Sequence, residues 1–223
     1  MTQNAKSLKK NTIANFLGVG YTTMIGVVIL PLYLQYLGEE AFGLVGFFTV
    51  LQAWMQLLDM GMSPMLSRQA ARARGHNIKF IELKKLLRSL EIIFFTLALI
   101  IVLSILVSSD WIANYWLKVE LLALTDVAFC IALMGMMIGL RFFSSLYRSG
   151  IMGMENQVLL NIANIVLTTL KFVGALLLLH FVTQEIVYFF IYQLILSIIE
   201  LAVLSAMFYR LIPATDKVGI GFF

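Results

Sequence analysis

Six long apolar runs dominate this chain and leave little sequence between them. An α-helix needs about 20 apolar residues to cross a membrane, and each run reaches that length. The composition agrees, because 61% of the residues are hydrophobic and only 13% are charged, roughly half the charged share of an ordinary soluble domain. We therefore predict an all-α polytopic membrane protein, a single six-helix lobe with spans near residues 12–37, 42–65, 87–107, 122–143, 158–181 and 185–208.

The sequence lacks the motifs of common enzymes and cofactor proteins. Its single cysteine, Cys130, cannot form an intramolecular disulfide, and no His/Cys cluster has the spacing of a metal site. A phosphate-binding loop, a zinc-protease motif and a nucleophile elbow are all missing. The connectors between the apolar runs are too short for a catalytic domain. We predict no catalytic residues, no metal, no cofactor and no enzymatic activity.

Positive charge alternates from one connector to the next. Connectors two and four and the segments at both ends carry nearly all the bases, namely Lys6, Lys9, Lys10, Arg68, Arg72, Arg74, Lys79, Lys84, Lys85, Arg88, Arg148, Arg210 and Lys217. The other connectors carry mainly carboxylates and a single base, Lys118. The positive-inside rule then predicts a multi-pass membrane protein with both termini cytoplasmic. The net charge of +4 reflects this bias, so we expect no nucleic-acid partner.

Four of the six runs carry polar or small residues at helical spacing. The stripes are Asn11, Asn15, Gly18, Thr22 and Gly26; Gln52, Gln56, Asp59 and Ser63; Gln157, Asn161, Asn164, Thr168 and Lys171; and Gln193, Ser197 and Glu200. Such residues can hold helices together through hydrogen bonds, at about 0.6 to 2 kcal/mol each. Four parallel stripes in one bundle also suit the wall of an aqueous cavity, which is the interpretation we favour for the set as a whole.

Four ionisable residues lie deepest in the runs, namely Asp59, Arg141, Lys171 and Glu200. Each costs about 2.5–3.5 kcal/mol at the centre of a bilayer on insertion scales. One interpretation is that they neutralise one another in two buried pairs. The other is that the cations face water and meet an anionic substrate. The sequence leaves both open.

Two further patterns concern helix geometry. Pro31 lies late in the first run, where it removes a backbone hydrogen bond and favours a bend that is either static or a hinge. Gly135 and Gly139 form a G-x-x-x-G pair in the fourth run, which predicts close packing against a neighbouring helix.

Several segments resemble one family of transporters. They are residues 11–15, residues 37–42 (LGEEAF) with Gly43, residues 57–68 (LLDMGMSPMLSR), residues 147–157 (YRSGIMGMENQ) and residues 158–179. They are similar to the Wzx-type oligosaccharide flippases of O-antigen and lipopolysaccharide synthesis, within the multidrug/oligosaccharidyl-lipid/polysaccharide exporter superfamily. The resemblance covers essentially the whole chain, with diffuse, hydropathic motifs.

This resemblance implies a substrate, an architecture and roles for particular residues. The substrate would be an oligosaccharide on a polyprenyl diphosphate carrier, moved from the cytoplasmic to the outer leaflet. The transporter would have two lobes, of which this chain supplies the N-terminal one, as a fragment, a frameshifted product or a half-size protomer; its partner would be a second lobe or a second copy. Lys171 and Arg141 would meet phosphates, whereas Asp59 would have a structural role near the cytoplasmic gate, through Arg68 or Arg141. The protein would lie in a bacterial plasma membrane.

Three other functions fit parts of the sequence. A drug or cation antiporter of the same superfamily would use Asp59 or Glu200 to exchange protons or sodium. An intramembrane transferase or polymerase would bring a large external loop with catalytic groups, which the short connectors do not offer. A non-transporting remnant is the third.

Overall fold

The computed structural model describes residues 2–57, 59, 61–75, 78–117 and 120–213, with side chains described from residue 12 onward apart from residues 55–57. The helices are α1 (Thr2–Leu37), α2 (Glu39–Leu57), α3 (Met62–Arg74), α4 (Phe80–Trp111), α5 (Leu124–Gly153), α6 (Gln157–Thr169), α7 (Ala175–Phe181) and α8 (Ile186–Leu211). One π-helical turn, Ile112–Trp116, extends α4, and another, Leu170–Gly174, joins α6 to α7. The described ranges contain no β-strand, which confirms the prediction of an all-α protein.

Five helical stretches in the described residues are long and apolar enough to cross a membrane. They are Thr12–Leu37, Phe80–Trp116, Leu124–Gly153, Gln157–Phe181 and Ile186–Leu211. These stretches confirm a polytopic membrane bundle. Most extend a predicted run, because polar residues continue a helix beyond the apolar core that hydropathy detects. The crossing by α2, which has 19 residues and is not one of the five, stays a prediction.

The second predicted run, residues 42–65, is divided between two helices. The helix α2 ends at Leu57, and α3 begins at Met62 after Gly61, which has a φ of 82°. That left-handed conformation is one that glycine adopts without strain, so the chain can turn there. The helix α3 then lays Leu66, Ala70 and Ala73 against the core and leaves its arginines exposed. Hydropathy merges the two helices because apolar residues continue from the end of α2 through the connection into the first turns of α3.

The helix α5 lies at the centre of the bundle. It packs against α4, α8 and α3, and Met134, Met137 and Ile138 are among its fully buried side chains. A methyl group at Gly135 would come within 2.8 Å of Ile105, and one at Gly139 within 2.6 Å of Val102, both on α4. These two glycines therefore allow α4 and α5 to approach closely. The packing predicted from the G-x-x-x-G pair is confirmed.

A buried carboxylate joins α4, α5 and α8 in this core. Glu91 of α4 is 9% exposed. It accepts hydrogen bonds from Tyr147 of α5 at 2.8 Å and from Tyr209 of α8 at 2.5 Å. Its second oxygen pairs with the largely exposed Arg88 at 3.1 Å. We call these four residues the Glu91 clamp, because they link α4, α5 and α8.

The remaining helices lie beside this core. The helix α1 runs along α6 and α7 and contacts α2, while α2 packs on α5. Large apolar side chains on the outer faces of α1, α4 and α8 are exposed, among them Phe16, Met24, Phe95, Leu103 and Ile198. In a membrane protein, such faces lie against lipid. Between α1 and α2 on one side and α5 and α8 on the other, the bundle leaves a cavity.

Candidate functional site

The cavity has a volume of about 600 Å³ and is lined by residues from α1, α2, α3, α5, α8, the α2–α3 connection and the π-helical turn at Leu170–Gly174. Much of its wall is apolar, including Phe48, Ile138 and Phe190. Its ionisable lining residues are Asp59, Arg141, Arg148, Lys171 and Glu200. Three cations and two carboxylates leave one excess positive charge. A lining of this kind favours an anionic group that also presents hydroxyls or apolar surface.

Glu200 of α8 is shared by two cations. Its Oε2 lies 2.5 Å from Nζ of Lys171, and its Oε1 lies 2.8 Å from Nη2 of Arg148. Arg148 also donates to Oδ1 of Asn164 on α6 at 2.5 Å. We call Lys171, Arg148 and Glu200 the charge cluster. It connects the π-helical turn, α5 and α8 beside the cavity, and it contains one of the two charge pairs that the sequence left open.

The π-helical turn positions Lys171. A π turn breaks the regular hydrogen bonding of a helix, so that carbonyl groups need other donors. The hydroxyl of Tyr33 on α1 donates to the carbonyls of Phe172, at 2.8 Å, and Lys171, at 3.3 Å. Gln193 on α8 also donates to the Lys171 carbonyl, at 3.0 Å, and Tyr192 donates to that of Leu170, at 2.8 Å. Two neighbouring helices therefore hold this turn in place.

Arg141 forms a second cationic point in the cavity. Its Nη1 donates to Oε1 of Gln52 on α2 at 2.6 Å, and its Cζ lies 4.9 Å from the ring centroid of Phe48. This distance is within the range of a cation–π contact. Among the described residues, Nε of Arg141 is the one buried side-chain nitrogen or oxygen without a hydrogen-bond partner. The guanidinium thus retains a buried donor that no described group satisfies.

Asp59 has different partners from those that the family resemblance implied. Its Oδ1 accepts from the backbone N–H of Ser63 at 3.2 Å and from the Ser63 hydroxyl at 2.7 Å. The ion pairs between described residues include none with Asp59. Arg141 donates a hydrogen bond to Gln52 instead, and Arg68 lies exposed on α3. Asp59 therefore holds the start of α3 while lining the cavity.

The polar stripes of α1 and α6 face each other and not the cavity. Asn15 donates to Gln157 at 3.0 Å and accepts from Asn161 at 2.6 Å. A methyl group at Gly18 would come within 2.8 Å of Asn161, so the two helices are in close contact. Asn15 and Asn161 are thus helix-joining residues and not cavity walls. Asn164 also lies outside the lining and reaches the site only through Arg148.

Three other candidates from the sequence have different outcomes. Gln52 lines the cavity, as the stripe of the second run predicted. The side chain of Gln56 lies outside the described residues. Pro31 lies within α1, which continues through it to Leu37, and its role as a hinge stays a prediction.

The most important residue that sequence reasoning missed is Arg148. Hydropathy ended the fourth run at residue 143, so Arg148 was counted with the connector, although α5 continues to Gly153. The available signal was the seven-residue spacing between Arg141 and Arg148, which puts both on one helix face. Tyr33 was missed because a tyrosine in an apolar run gives no sign of which carbonyl it will meet.

Comparison with known proteins identifies the family of this chain. A family described as polysaccharide biosynthesis protein matches residues 8–219. No curated protein and no solved structure matches the chain. The family match covers nearly the whole sequence, including every helix that lines the cavity. The chain is therefore a membrane protein of the polysaccharide biosynthesis protein family.

Proposed function

We propose that this protein translocates a polyprenyl-diphosphate-linked oligosaccharide from the cytoplasmic to the outer leaflet of a bacterial plasma membrane. The observation that carries the proposal is the cavity with three cations, Arg141, Arg148 and Lys171, inside a membrane bundle. Ionisable residues are costly within a membrane and are retained there for function. The family match to polysaccharide biosynthesis supports a glycan-bearing substrate.

Each part of such a substrate has a chemical counterpart in this chain. The diphosphate suits guanidinium and ammonium groups, because charge-assisted hydrogen bonds to phosphate oxygens are strong. Sugar hydroxyls suit the neutral polar lining, which includes Thr49, Gln52 and Gln193. The polyprenyl tail stays in lipid beside the exposed apolar faces. Nothing in this scheme requires a bond to be made or broken, so we propose a transporter and not an enzyme.

A second six-helix lobe, or a second copy of this chain, belongs to the proposal. The family resemblance implies two lobes, and a polar wall open to hydrocarbon is unfavourable unless another surface covers it. Assays of the chain alone should therefore show weak or no movement of lipid-linked sugar. Robust movement by a demonstrably monomeric chain would contradict this part of the proposal.

The proposed orientation has a direct test. With both termini cytoplasmic, reporter fusions after Gly38, Ser109 and Gln184 should report the periplasm. Fusions after Gly75 and Pro213 should report the cytoplasm, because base-rich connectors stay inside. Any one fusion on the opposite side contradicts the orientation. This experiment also decides whether α2 crosses the membrane.

The proposed activity is tested in liposomes. The purified protein, with its second lobe where one is needed, is reconstituted with a fluorescent polyprenyl-diphosphate oligosaccharide in the inner leaflet, and a membrane-impermeant quencher measures its appearance outside. We expect movement in the wild type and loss in Lys171→Ala. Movement of cationic drugs against a proton or sodium gradient, without movement of the lipid-linked sugar, would instead support the antiporter alternative. In that alternative Asp59, which lines the cavity without an ion pair among the described residues, is the candidate carboxylate.

A further inference from the structure

Glu200 has an unusual position for a carboxylate in a cavity proposed to bind an anion. It is 8% exposed, and each of its two oxygens contacts a different cation. The side chain of Lys171 is 14% exposed and that of Arg148 is 36% exposed. Glu200 thus pairs with the ammonium of Lys171 and the guanidinium of Arg148, which are the groups that a bound phosphate would contact.

The cavity nevertheless has positive charge beyond what Glu200 neutralises. Lys171 and Arg148 together carry one more charge than Glu200, and Arg141 lies in the same cavity with a buried Nε–H that no described group accepts. Arg141 and Arg148 are seven residues apart on α5, so they lie about 10 Å apart along one helix face. The cavity therefore offers an anion two cationic points, Arg141 and the charge cluster.

We infer that Glu200 is a displaceable internal counter-ion: a phosphate or diphosphate group binds by replacing Glu200 at Lys171 and Arg148. This inference rests on the proposed function and adds a residue that limits affinity. The ammonium of Lys171 can change partner while its backbone stays in place, because Tyr33 and Gln193 hold its carbonyl. No bond is made or broken; only ionic hydrogen bonds exchange.

The exchange has a consequence for transport. Because Glu200 competes with the substrate for Lys171 and Arg148, it weakens substrate binding. It also re-forms its ion pairs with both cations when the substrate leaves, which favours release. A cavity without Glu200 would bind the anion tightly and release it slowly. Affinity and turnover should therefore change in opposite directions when the carboxylate is removed, which a merely structural pair would not produce.

The experiment measures binding to the purified full chain in detergent by titration calorimetry. The probes are farnesyl diphosphate, farnesyl monophosphate, inorganic pyrophosphate and uncharged farnesol. We expect Glu200→Gln to bind farnesyl diphosphate about tenfold more tightly than the wild type, with no change for farnesol. An equal gain for inorganic pyrophosphate means that the site recognises the phosphate group from either source, whereas a gain for the farnesyl compounds alone means that the lipid is required.

The matched control is Glu155→Gln. Glu155 also pairs with an arginine, Arg74, but it is exposed between α5 and α6 and does not line the cavity. Its affinity for each probe should equal that of the wild type. In Glu200→Gln, a further Lys171→Ala should remove most of the gain, because the released ammonium is its source.

Equal or weaker binding of farnesyl diphosphate by Glu200→Gln would overturn the inference. Should this variant fail to fold, Glu200→Asp serves instead, since its carboxylate is one methylene shorter and reaches both cations less well; it should bind a few-fold more tightly, and unchanged binding would overturn the inference. The proposed function fails separately, when the wild type neither binds the diphosphate nor moves lipid-linked sugar. A wild type that does both, with no gain in the variants, refutes the counter-ion alone.

Discussion

Among the described residues, two carboxylates are buried, Glu91 of α4 and Glu200 of α8. Both contact the central helix α5, but their surroundings differ. Glu91 accepts from two tyrosine hydroxyls and pairs with an arginine whose side chain is 73% exposed. Glu200 instead meets two cations beside a cavity of about 600 Å³. The first arrangement satisfies a carboxylate with neutral donors and leaves its cation in contact with the surroundings. The second gathers two cations and a carboxylate beside the cavity.

Under the proposed function, the difference separates a polar group that joins helices from one that would serve a substrate. Helix-joining contacts need satisfied hydrogen bonds and no access, as at the Glu91 clamp. A binding site needs donors that another molecule can reach, as at the charge cluster, which lines the cavity. Removing a residue from each region should therefore affect different quantities, namely stability at Glu91 and transport at Lys171.

The largest effect is expected for Lys171→Ala in the liposome assay. Movement of the lipid-linked sugar should fall about 100-fold, because truncating one member of a buried charge contact costs several kcal/mol. Membrane abundance should stay near normal, since Arg148 still pairs with Glu200. Lys171→Arg should keep part of the activity because the charge persists. If the double variant Lys171→Ala with Glu200→Ala restored both abundance and transport, the Lys171–Glu200 contact would be only structural. The proposed difference between the charge cluster and the Glu91 clamp would then be wrong.

The second prediction concerns stability at the Glu91 clamp. Glu91→Ala should lower the free energy of unfolding by about 2–4 kcal/mol, since two tyrosine hydroxyls lose their acceptor. The single cysteine, Cys130, is fully buried, so a thiol-reactive dye reports unfolding during a thermal ramp in detergent. Transport per folded molecule should change less than about twofold. A loss of transport without a loss of stability would show that Glu91 takes part in transport. It would contradict the assignment of a purely stabilising role to the Glu91 clamp.

The third prediction tests whether the π-helical turn serves the charge cluster. Tyr33→Phe removes the hydroxyl that donates to Phe172 and Lys171. Transport should fall about fivefold, because the turn loses a hydrogen bond to α1, which contributes about 0.5–1.5 kcal/mol to its support. Tyr36→Phe is the matched control on the same helix, since its hydroxyl bonds His180 in an exposed position. Equal effects of the two changes would argue against a positioning role for Tyr33.

The smallest effect is expected where α1 meets α6. Asn15→Ala removes hydrogen bonds to Gln157 and Asn161. The midpoint in the dye assay should fall by the equivalent of about 1 kcal/mol, as for other polar contacts between membrane helices. Transport per folded molecule should be unchanged. A strong transport defect would show that Asn15 also acts in transport. The polar stripe of α1 would then both join helices and serve the substrate.

Part of the site could be predicted from the sequence, and the failures have a common cause. Lys171, Arg141, Gln52 and Glu200 were identified because charged and amide groups within apolar runs are rare and costly. Asn15 and Asn161 show the same pattern, yet they face each other across the α1–α6 contact. A stripe indicates which face of a helix is polar, but the neighbour of that face depends on how the helices are arranged.

The amino-acid sequence by itself determined the all-α membrane class, the position of most helices and the close packing at Gly135 and Gly139. These properties are local, since they depend on hydropathy and side-chain size along one helix. Only the tertiary structure decided that Glu200 meets both Lys171 and Arg148, that Asp59 bonds Ser63, and that Glu91 joins three helices. Those contacts, apart from the local Asp59–Ser63 turn, link residues far apart in the chain. Their geometry is set by the relative rotation and depth of packed helices, which no single run of sequence specifies.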